Sequence, residues 1–249
     1  AVKFKWASNR RSVELSQASY VEEVLKTFNM TNCRGCATPA EEGRLTTPTI
    51  PDTDEDKIRL EEEYNSVKDK PYREAVGKLI YLSTKTRPDI QQAVSAVARF
   101  CERPHPTHWT AVLRIMRYLK QTKDYVLRYT LDSPAVVAGF SDSDFAPKGP
   151  VGDKARSTSG FVFTFCGGAI SWRSKRQTQT AQSTCEAELV ALGSAAKEAM
   201  WLRGLCKELG LKCPLPTSVF CDNDAATKIT SNKIQSEATK HLDVANFAL

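Results

Sequence analysis

The spacing of hydrophobic residues changes near residue 125, and this change constrains the fold more than any other feature of the sequence. Before it, apolar residues recur at helical spacing in three stretches between residues 72 and 121. After it, three short apolar runs predict strands, at 136–142, 160–165 and 169–172. The chain is therefore predicted to contain a helical part that is followed by a part with a sheet.

The second part continues with a long helical pattern and a further strand. The pattern runs from residue 187 to about 209 and ends at Gly210, a residue type that often terminates helices. An apolar strand follows at 217–221, a helix begins at Asn223, and Gly167-Gly168 is expected to form the turn between the second and third strands. This order of elements predicts an α/β fold in which helices flank a mixed sheet.

The amino-terminal third of the chain divides into two further segments. A short strand is predicted at 12–15, followed by a helix that carries apolar residues from Tyr20 to Phe28. Residues 37–70 are rich in proline, threonine and charged residues, which indicates a linker. The expected segments are residues 1–36, the linker 37–70, a helical segment 71–130 and an α/β domain 131–249.

Composition narrows the class of protein. A formal net charge of +6 favours a polyanionic partner, although such an excess is also common on surfaces that bind nothing. The eight cysteines are scattered and no secretory signal is visible at the amino terminus, so we expect an intracellular, reducing compartment. No apolar run approaches the roughly 20 residues that span a bilayer, and no membrane partner is expected.

Acidic residues occur in pairs at the ends of three predicted elements, namely Asp142 and Asp144, Glu186 and Glu188, and Asp222 and Asp224. If the strands that end at the first and third pairs are neighbours, their carboxylates meet beside the start of the long helix. Clustered carboxylates repel one another unless cations neutralise them, and Mg²⁺ prefers such oxygen ligands. The alternative is that these residues are ordinary turn and helix-start residues, and spacing alone favours it.

Two basic groups are candidate phosphate contacts. Lys175-Arg176-Gln177 links the third strand to the long helix, and its alternative is a solvated basic turn. Arg114, Arg117 and Lys120 lie on one side of the helix predicted at 107–121 and would follow a phosphate backbone. An exposed helix face with no ligand is the more common explanation of such a pattern.

Specific motifs resemble those of copia-type retrotransposon Pol polyproteins, in order and over nearly the whole chain. They are Pro71 to Leu82, Thr86-Arg87-Pro88-Asp89-Ile90, His108-Trp109, Arg117-Tyr118-Leu119-Lys120, Phe140 to Ala146, Ser157-Thr158-Ser159-Gly160, Ala169-Ile170-Ser171-Trp172, Glu186-Ala187-Glu188, Cys221-Asp222-Asn223 and Thr239-Lys240-His241. By this resemblance, 1–36 is the end of a thumb-like region of a reverse transcriptase, 71–130 is its connection, and 131–249 is an RNase H-like domain.

The resemblance implies Mg²⁺-dependent hydrolysis of the RNA strand of RNA–DNA hybrids. Its metal-binding carboxylates would be Asp142 on the first strand, Glu188 in the long helix and Asp222 after the later strand. Two Mg²⁺ ions are expected, with Mn²⁺ as a substitute. The alternative is a catalytically inactive fragment that binds nucleic acid or is a degenerate piece of a transposon.

The same resemblance implies partners and a setting. The expected partners are an RNA–DNA hybrid and the rest of the Pol polyprotein, in a cytoplasmic particle, the nucleus or both. The polymerase motif Tyr-x-Asp-Asp of the family is absent from the sequence, so we expect the chain to start downstream of the palm. The RNase H-like domain is expected to be incomplete at its carboxyl terminus.

Overall fold

A computed structural model describes residues 1–41, 53–146, 156–211 and 216–232. The described chain forms two compact units, the first from Ala1 to Arg128 and the second beginning at Tyr129. None of the helices within the described ranges is long and apolar enough to cross a membrane. The motif Thr239-Lys240-His241 lies outside these ranges.

The first unit is mainly helical. Its elements are β1 (Lys3–Trp6), β2 (Ser12–Ser16), α1 (Ala18–Thr27), α2 (Asp54–Val67), α3 (Tyr72–Lys85), a short 3₁₀ helix (Pro88–Ile90), α4 (Gln91–Ala98) and α5 (Pro106–Gln121). Strands β1 and β2 pair as an antiparallel hairpin, and β3 (Leu127–Thr130) follows β2 in the same three-stranded sheet.

Helices α1, α3, α4 and α5 enclose the core of the first unit. Leu79, Val97 and Leu119 are fully buried in it, as the helical spacing of apolar residues predicted. Ile80, which follows Leu79, is 42% exposed because it lies about 100° further around α3. The core is held by residues from four helices, so each helix buries one face.

The predicted linker 37–70 contains the helix α2 at Asp54–Val67. The Thr53 side chain caps α2 by accepting a hydrogen bond from the Asp56 amide, and three acidic residues in its first turn complement the helix dipole. Arg103, which precedes α5, forms an ion pair with Glu61. Helix α2 is stabilised by its amino-terminal cap and by its charged side chains, and Val67 is its one buried residue.

The second unit is a mixed α/β structure. Its elements after β3 are β4 (Ala138–Asp144), β5 (Thr158–Phe165), β6 (Gly168–Arg176), α6 (Thr184–Glu208), β7 (Ser218–Phe220) and α7 (Asp224–Asn232). The sheet has the strand order β6-β5-β4-β7, in which β4 and β7 are parallel and the other pairs antiparallel. The predicted mixed sheet, with the first strand beside the later one, is confirmed.

Helix α6 packs on one face of this sheet. The buried side chains of Phe161, Phe163, Ala195 and Leu202 form the core between them. A Cβ at Gly139 would lie 2.4 Å from the Phe163 ring, so glycine leaves the space that this ring fills. On the opposite face, Phe140 stacks on Phe220 with 5.3 Å between the ring centroids.

Two glycines end elements in the second unit. Gly210 has a φ of +68° and directly follows the residue that caps α6, as predicted. The turn between β5 and β6 is formed by Cys166 and Gly167, both with positive φ, and not by Gly167-Gly168. Two positive φ angles in succession are typical of a type I′ turn, and Gly168 consequently begins β6.

Candidate functional site

The site lies at the carboxyl end of β7, beside the last residues of β4. Because the two strands are parallel, their carboxyl ends meet at one edge of the sheet. Helix α6 begins beside this edge, capped by the Ser183 side chain, which accepts a hydrogen bond from the Glu186 amide. Glu188 is the fifth residue of α6, so this cap places it in the second turn.

Glu188 is held in position by the end of β4. Its Oε1 accepts hydrogen bonds from the Ser143 amide at 3.0 Å and from the Ser143 hydroxyl at 2.7 Å. The side chain is 6% exposed, which is rare for a glutamate without a charged partner. Two donors on one oxygen fix the orientation of the carboxylate and leave its second oxygen directed elsewhere.

The second oxygen of Glu188 faces the segment after β7. The Cys221 thiol donates to Oε2 at 3.7 Å. Glu188, Cys221 and Asp222 each offer one ligand atom within 4.8 Å of the others, and in the described part of the chain they are the one set of three or more that does so. Their burial decreases from buried Glu188 to exposed Asp222, so the cluster opens to solvent.

Burial raises the pKa of the Cys221 thiol, and the negative charges of Glu188 and Asp222 raise it further. The backbone amide of Asn223 opposes this effect by stabilising the thiolate. Burial and the charge of Glu188 also raise the pKa of Cys185, which lies three residues before Glu188 on α6. Both shifts have the sign expected of thiols near an uncompensated carboxylate.

Asp142 lies outside this set of three groups. Ser141 and Ser143 face α6, and side chains alternate along a strand, so Asp142 and Asp144 are directed to the other face. Asp142 and Asp222 each lie two residues beyond the register partners Phe140 and Phe220, so Asp142 is on the strand that adjoins the segment carrying Asp222.

The structure separates Glu188 from the alternative choice, Glu186. The carboxylate of Glu186 accepts a hydrogen bond from the Gln182 amide at 2.7 Å, in front of the first turn of α6. Asp224 begins α7, where the Asn223 side chain accepts a hydrogen bond from the Ala226 amide. These two acidic residues therefore stabilise helix starts, as the alternative interpretation of the acidic pairs held.

The first basic candidate is part of a strand and not of a turn. Lys175 and Arg176 end β6, while Gln177 is 6% exposed and donates to Ser159 Oγ and to the Ala187 carbonyl, both at 2.9 Å. Gln177 is thereby removed from the candidate phosphate contacts, because its amide group is buried in contacts with β5 and α6. Lys175 is exposed.

The second basic candidate is occupied by the chain itself. Arg114 forms an ion pair with Glu41 and donates to Thr38 Oγ1 at 2.9 Å. Arg117 donates to the Arg34 carbonyl at 2.8 Å, and Lys120 donates to the Thr31 carbonyl. These three side chains hold residues 31–41 against α5, so the structure gives them a structural role in place of the expected phosphate contacts.

The donor set of the cluster fits a divalent cation. Two carboxylates without a basic partner in the cluster supply the oxygen ligands that Mg²⁺ prefers, and an open rim leaves room for water and phosphate oxygens. The sequence reasoning missed Cys221. Its signal was the adjacency of Cys221 and Asp222 at the end of a strand, which brings both side chains to one sheet edge.

The comparisons identify relatives of the chain, although no family model and no solved structure matches it. The chain is 41% identical to the retrovirus-related Pol polyprotein from transposon TNT 1-94 of Nicotiana tabacum over 235 residues, which are 94% of this chain and 17% of that polyprotein. It is 31% identical to the corresponding polyprotein from transposon RE2 of Arabidopsis thaliana, over 93% of this chain and 15% of that polyprotein.

A shorter relative matches part of the chain. The secreted RxLR effector protein 161 of Plasmopara viticola is 46% identical over 136 residues, which are 55% of this chain and 94% of that protein. The chain thus spans less than one fifth of the two Pol polyproteins. It matches nearly the whole length of the shorter protein. The chain belongs to the family of copia-type, retrovirus-related Pol polyproteins of transposons.

Proposed function

We propose that the second unit is an RNase H-like domain that hydrolyses the RNA strand of RNA–DNA hybrids with Mg²⁺. The observation that carries the proposal is the pair of carboxylates, Glu188 and Asp222, brought together at the carboxyl edge of two parallel strands. The strand order supports the RNase H-like fold, because the first strand of the unit's four-stranded sheet lies between the second and the last. Membership of the Pol family supports a nucleic-acid substrate.

Glu188 and Asp222 would hold the metal, and we propose Asp142 as the third ligand. Asp142 lies within β4, at the position that corresponds to Asp222 when the register of β4 and β7 is continued past Phe220, and it is therefore the acidic residue of β4 that we assign to the metal. Bound Mg²⁺ supplies charge stabilisation for the attacking water and for the leaving 3′ oxygen. Mn²⁺ is the expected substitute.

The protein's own groups would orient the substrate. Ser143 keeps the Glu188 carboxylate fixed through two hydrogen bonds. Lys175 lies in the same cross-strand row as Ser143, since Ser143 pairs with Ser159 and Ser159 pairs with Lys175. Ser143 and Lys175 are therefore two strand spacings apart, about 10 Å, and Lys175 is suited to bind a hybrid phosphate beside the site.

A second candidate is a domain that binds nucleic acid without cleaving it. The direction of Asp142 away from the cluster favours it, because two carboxylates hold a second metal ion less well than three. In this case the net charge of +6 and the exposed Lys175 would support binding alone.

Cleavage of a short hybrid with labelled RNA tests the proposal. We expect Mg²⁺-dependent products with 5′ phosphate and 3′ hydroxyl ends, and binding without cleavage when EDTA removes the metal. Glu188→Gln should lower the cleavage rate by about 100-fold or more, since loss even of an outer-shell partner costs 10- to 100-fold. Glu186→Gln is the matched control on the same helix.

The results separate the candidates. Cleavage that is insensitive to Glu188→Gln would contradict the proposed site. Hybrid binding without cleavage in Mg²⁺ or Mn²⁺ would favour the second candidate. Within the polyprotein, the same domain would act on hybrids in a cytoplasmic particle or in the nucleus, and the rest of the polyprotein is its proposed partner.

A further inference from the structure

The carboxylate cluster of the second unit contains a thiol that a Mg²⁺ site does not require. Cys221 Sγ lies within 4.8 Å of ligand oxygens of both Glu188 and Asp222. Mg²⁺ takes oxygen ligands, whereas thiolate ligands select softer ions such as Zn²⁺. One thiol and two carboxylates are therefore a donor set for a borderline-soft divalent ion.

An unpartnered hydroxyl on the neighbouring strand also points to a ligand here. Ser141 is 6% exposed, and its Oγ has no hydrogen-bond partner in the described part of the chain. Ser141 lies on the same face of β4 as Ser143, whose hydroxyl contacts Glu188. Ser141 and Cys221 each follow by one residue the register partners Phe140 and Phe220, so Ser141 lies on the strand that adjoins the segment carrying Cys221.

A buried polar group without a partner calls for an unseen water or ion. A water bound to an ion between Glu188, Cys221 and Asp222 would satisfy the Ser141 hydroxyl, because all four residues adjoin the same edge of the sheet. The unpaired hydroxyl is independent of the acidic residues, and it indicates that the space beside the cluster is polar and suited to a ligand.

We propose that Glu188, Cys221 and Asp222 form a binding site for Zn²⁺, with one water as the fourth ligand. Structural and catalytic Zn²⁺ sites accept this mixture of thiolate and carboxylate ligands in tetrahedral geometry. The Cys221 thiol loses its proton to solvent when its sulfur binds the ion, so Zn²⁺ affinity increases with pH.

The site has a consequence for the proposed hydrolysis. Zn²⁺ and Mg²⁺ share Glu188 and Asp222, so bound Zn²⁺ excludes Mg²⁺ from them and inhibits cleavage. This consequence rests on the proposed function, whereas the Zn²⁺ site itself does not. Thiol chemistry at Cys221 would then determine which cation the domain holds.

Co²⁺ in place of Zn²⁺ gives a direct test in the absence of nucleic acid. We expect the whole chain to bind Co²⁺ with a sulfur-to-cobalt charge-transfer absorption that Zn²⁺ abolishes by displacement. Cys221→Ser should remove this absorption and lower Co²⁺ affinity by at least about tenfold, the lower limit seen even for outer-shell partners. Circular dichroism establishes that each variant is folded.

Two other cysteines provide controls. Cys33→Ser removes a thiol of the Cys33-x-x-Cys36 pair in the first unit, and Cys185→Ser removes the thiol one turn before Glu188. Both should retain the absorption. Its survival in Cys221→Ser, or its loss in Cys33→Ser, would overturn the proposal, and its loss in Cys185→Ser would transfer the sulfur ligand to that residue and equally overturn it.

The two proposals fail in different ways. If no hybrid is cleaved but Cys221→Ser abolishes the Co²⁺ absorption, the proposed hydrolysis is wrong and the Zn²⁺ site stands. If cleavage requires Mg²⁺ and the Co²⁺ absorption is indifferent to Cys221→Ser, the Zn²⁺ site is wrong and the hydrolysis stands. Where both hold, inhibition by Zn²⁺ should require at least about tenfold more of the ion in Cys221→Ser.

Discussion

The basic side chains of α5 and the acidic side chains of the cluster at α6 differ in their hydrogen-bond partners. Arg114, Arg117 and Lys120 donate to groups of residues 31–41, including the carboxylate of Glu41. Glu188 accepts hydrogen bonds from the uncharged groups of Ser143 and Cys221 and lies beside the carboxylate of Asp222. A charge that is paired within the chain serves the fold, whereas one that is held by neutral donors is available to an external cation.

The cores of the two units differ in a related way. The largest buried cluster of the first unit contains 17 hydrophobic residues among those described, and that of the second contains seven. In the second unit, Phe140 and Phe220 are 46% and 55% exposed on the sheet face opposite α6. Core substitutions should therefore show their largest effects on stability in the first unit, and substitutions in the second should act more on ligands.

The largest expected effect is that of Leu79→Ala in the core of the first unit. Leu79 is fully buried between helices, so its truncation leaves a cavity and should lower the free energy of unfolding by about 2 to 5 kcal/mol. Ile80→Ala, at a neighbouring position that is 42% exposed, should cost less than about 1 kcal/mol. Urea unfolding followed by circular dichroism measures both, and equal costs would show that the described core is wrong.

Tyr72→Phe tests whether a polar group in the same core is as tightly enclosed as its neighbours. The Tyr72 hydroxyl donates to the Val97 carbonyl at 2.8 Å, and the side chain is 3% exposed. Removing this buried bond should lower the free energy of unfolding by about 1 to 2 kcal/mol near pH 7.5.

The cost of Tyr72→Phe should depend on pH. Burial raises the pKa of Tyr72 well above that of a free tyrosine, which is about 10. The stability that the protonated hydroxyl contributes is fully present below pH 10, and it is lost as pH rises because only the unfolded chain then releases the proton. The difference between wild type and variant should shrink from pH 10 to 12, and a constant difference would contradict an enclosed hydroxyl.

Arg114→Ala and Lys175→Ala sharpen the contrast between paired and available charges. Arg114→Ala breaks the bonds to Glu41 and Thr38, so it should lower the free energy of unfolding by about 1 kcal/mol and leave hybrid affinity unchanged. Lys175→Ala should leave stability unchanged and weaken hybrid binding. In this variant, the slope of log affinity against log salt concentration should be shallower by about 0.9, because one phosphate contact is lost.

Hybrid binding measured over a range of salt concentrations, together with urea unfolding, separates these two effects. A loss of affinity in Arg114→Ala at full stability would return α5 to the candidate nucleic-acid surfaces. An unchanged salt dependence in Lys175→Ala would remove β6 from them.

The sequence predicted elements best where hydrophobic spacing decides them. The third helix was expected at 107–121 and is Pro106–Gln121, because Val112, Met116 and Leu119 recur on one buried face. Helix α2 was missed because it buries little apolar surface, and its stability depends on the Thr53 cap and on ion pairs such as Arg103 with Glu61. Hydrophobic spacing carries no signal for such a helix.

The site was predicted in part. Spacing led to three acidic pairs, and resemblance chose Asp142, Glu188 and Asp222 from them. The structure brings Glu188 and Asp222 together and directs Asp142 to the other sheet face. That difference depends on the strand's register against β5, which a single sequence does not specify. The sequence also did not predict the hydrogen bonds of Arg114 and Gln177, because their partners lie far along the chain or on another element.

The smallest expected effect on stability distinguishes two glutamates of one helix. Glu186 accepts a hydrogen bond from the Gln182 amide, and its own amide donates to the Ser183 hydroxyl, so its charge stabilises the start of α6. Glu186→Gln retains an oxygen that can accept the bond and removes the charge. It should lower the free energy of unfolding by about 0.5 kcal/mol and leave Mn²⁺ affinity unchanged.

Glu188→Gln should instead lower Mn²⁺ affinity by at least about tenfold. It should leave the free energy of unfolding nearly unchanged or raise it, because a buried charge is removed while the amide oxygen still accepts a hydrogen bond from Ser143. Calorimetric titration with Mn²⁺ beside urea unfolding measures both quantities on the same samples. A loss of Mn²⁺ affinity in Glu186→Gln with none in Glu188→Gln would reverse the assignment, since the two residues are about 200° apart around α6 and only one can face Asp222.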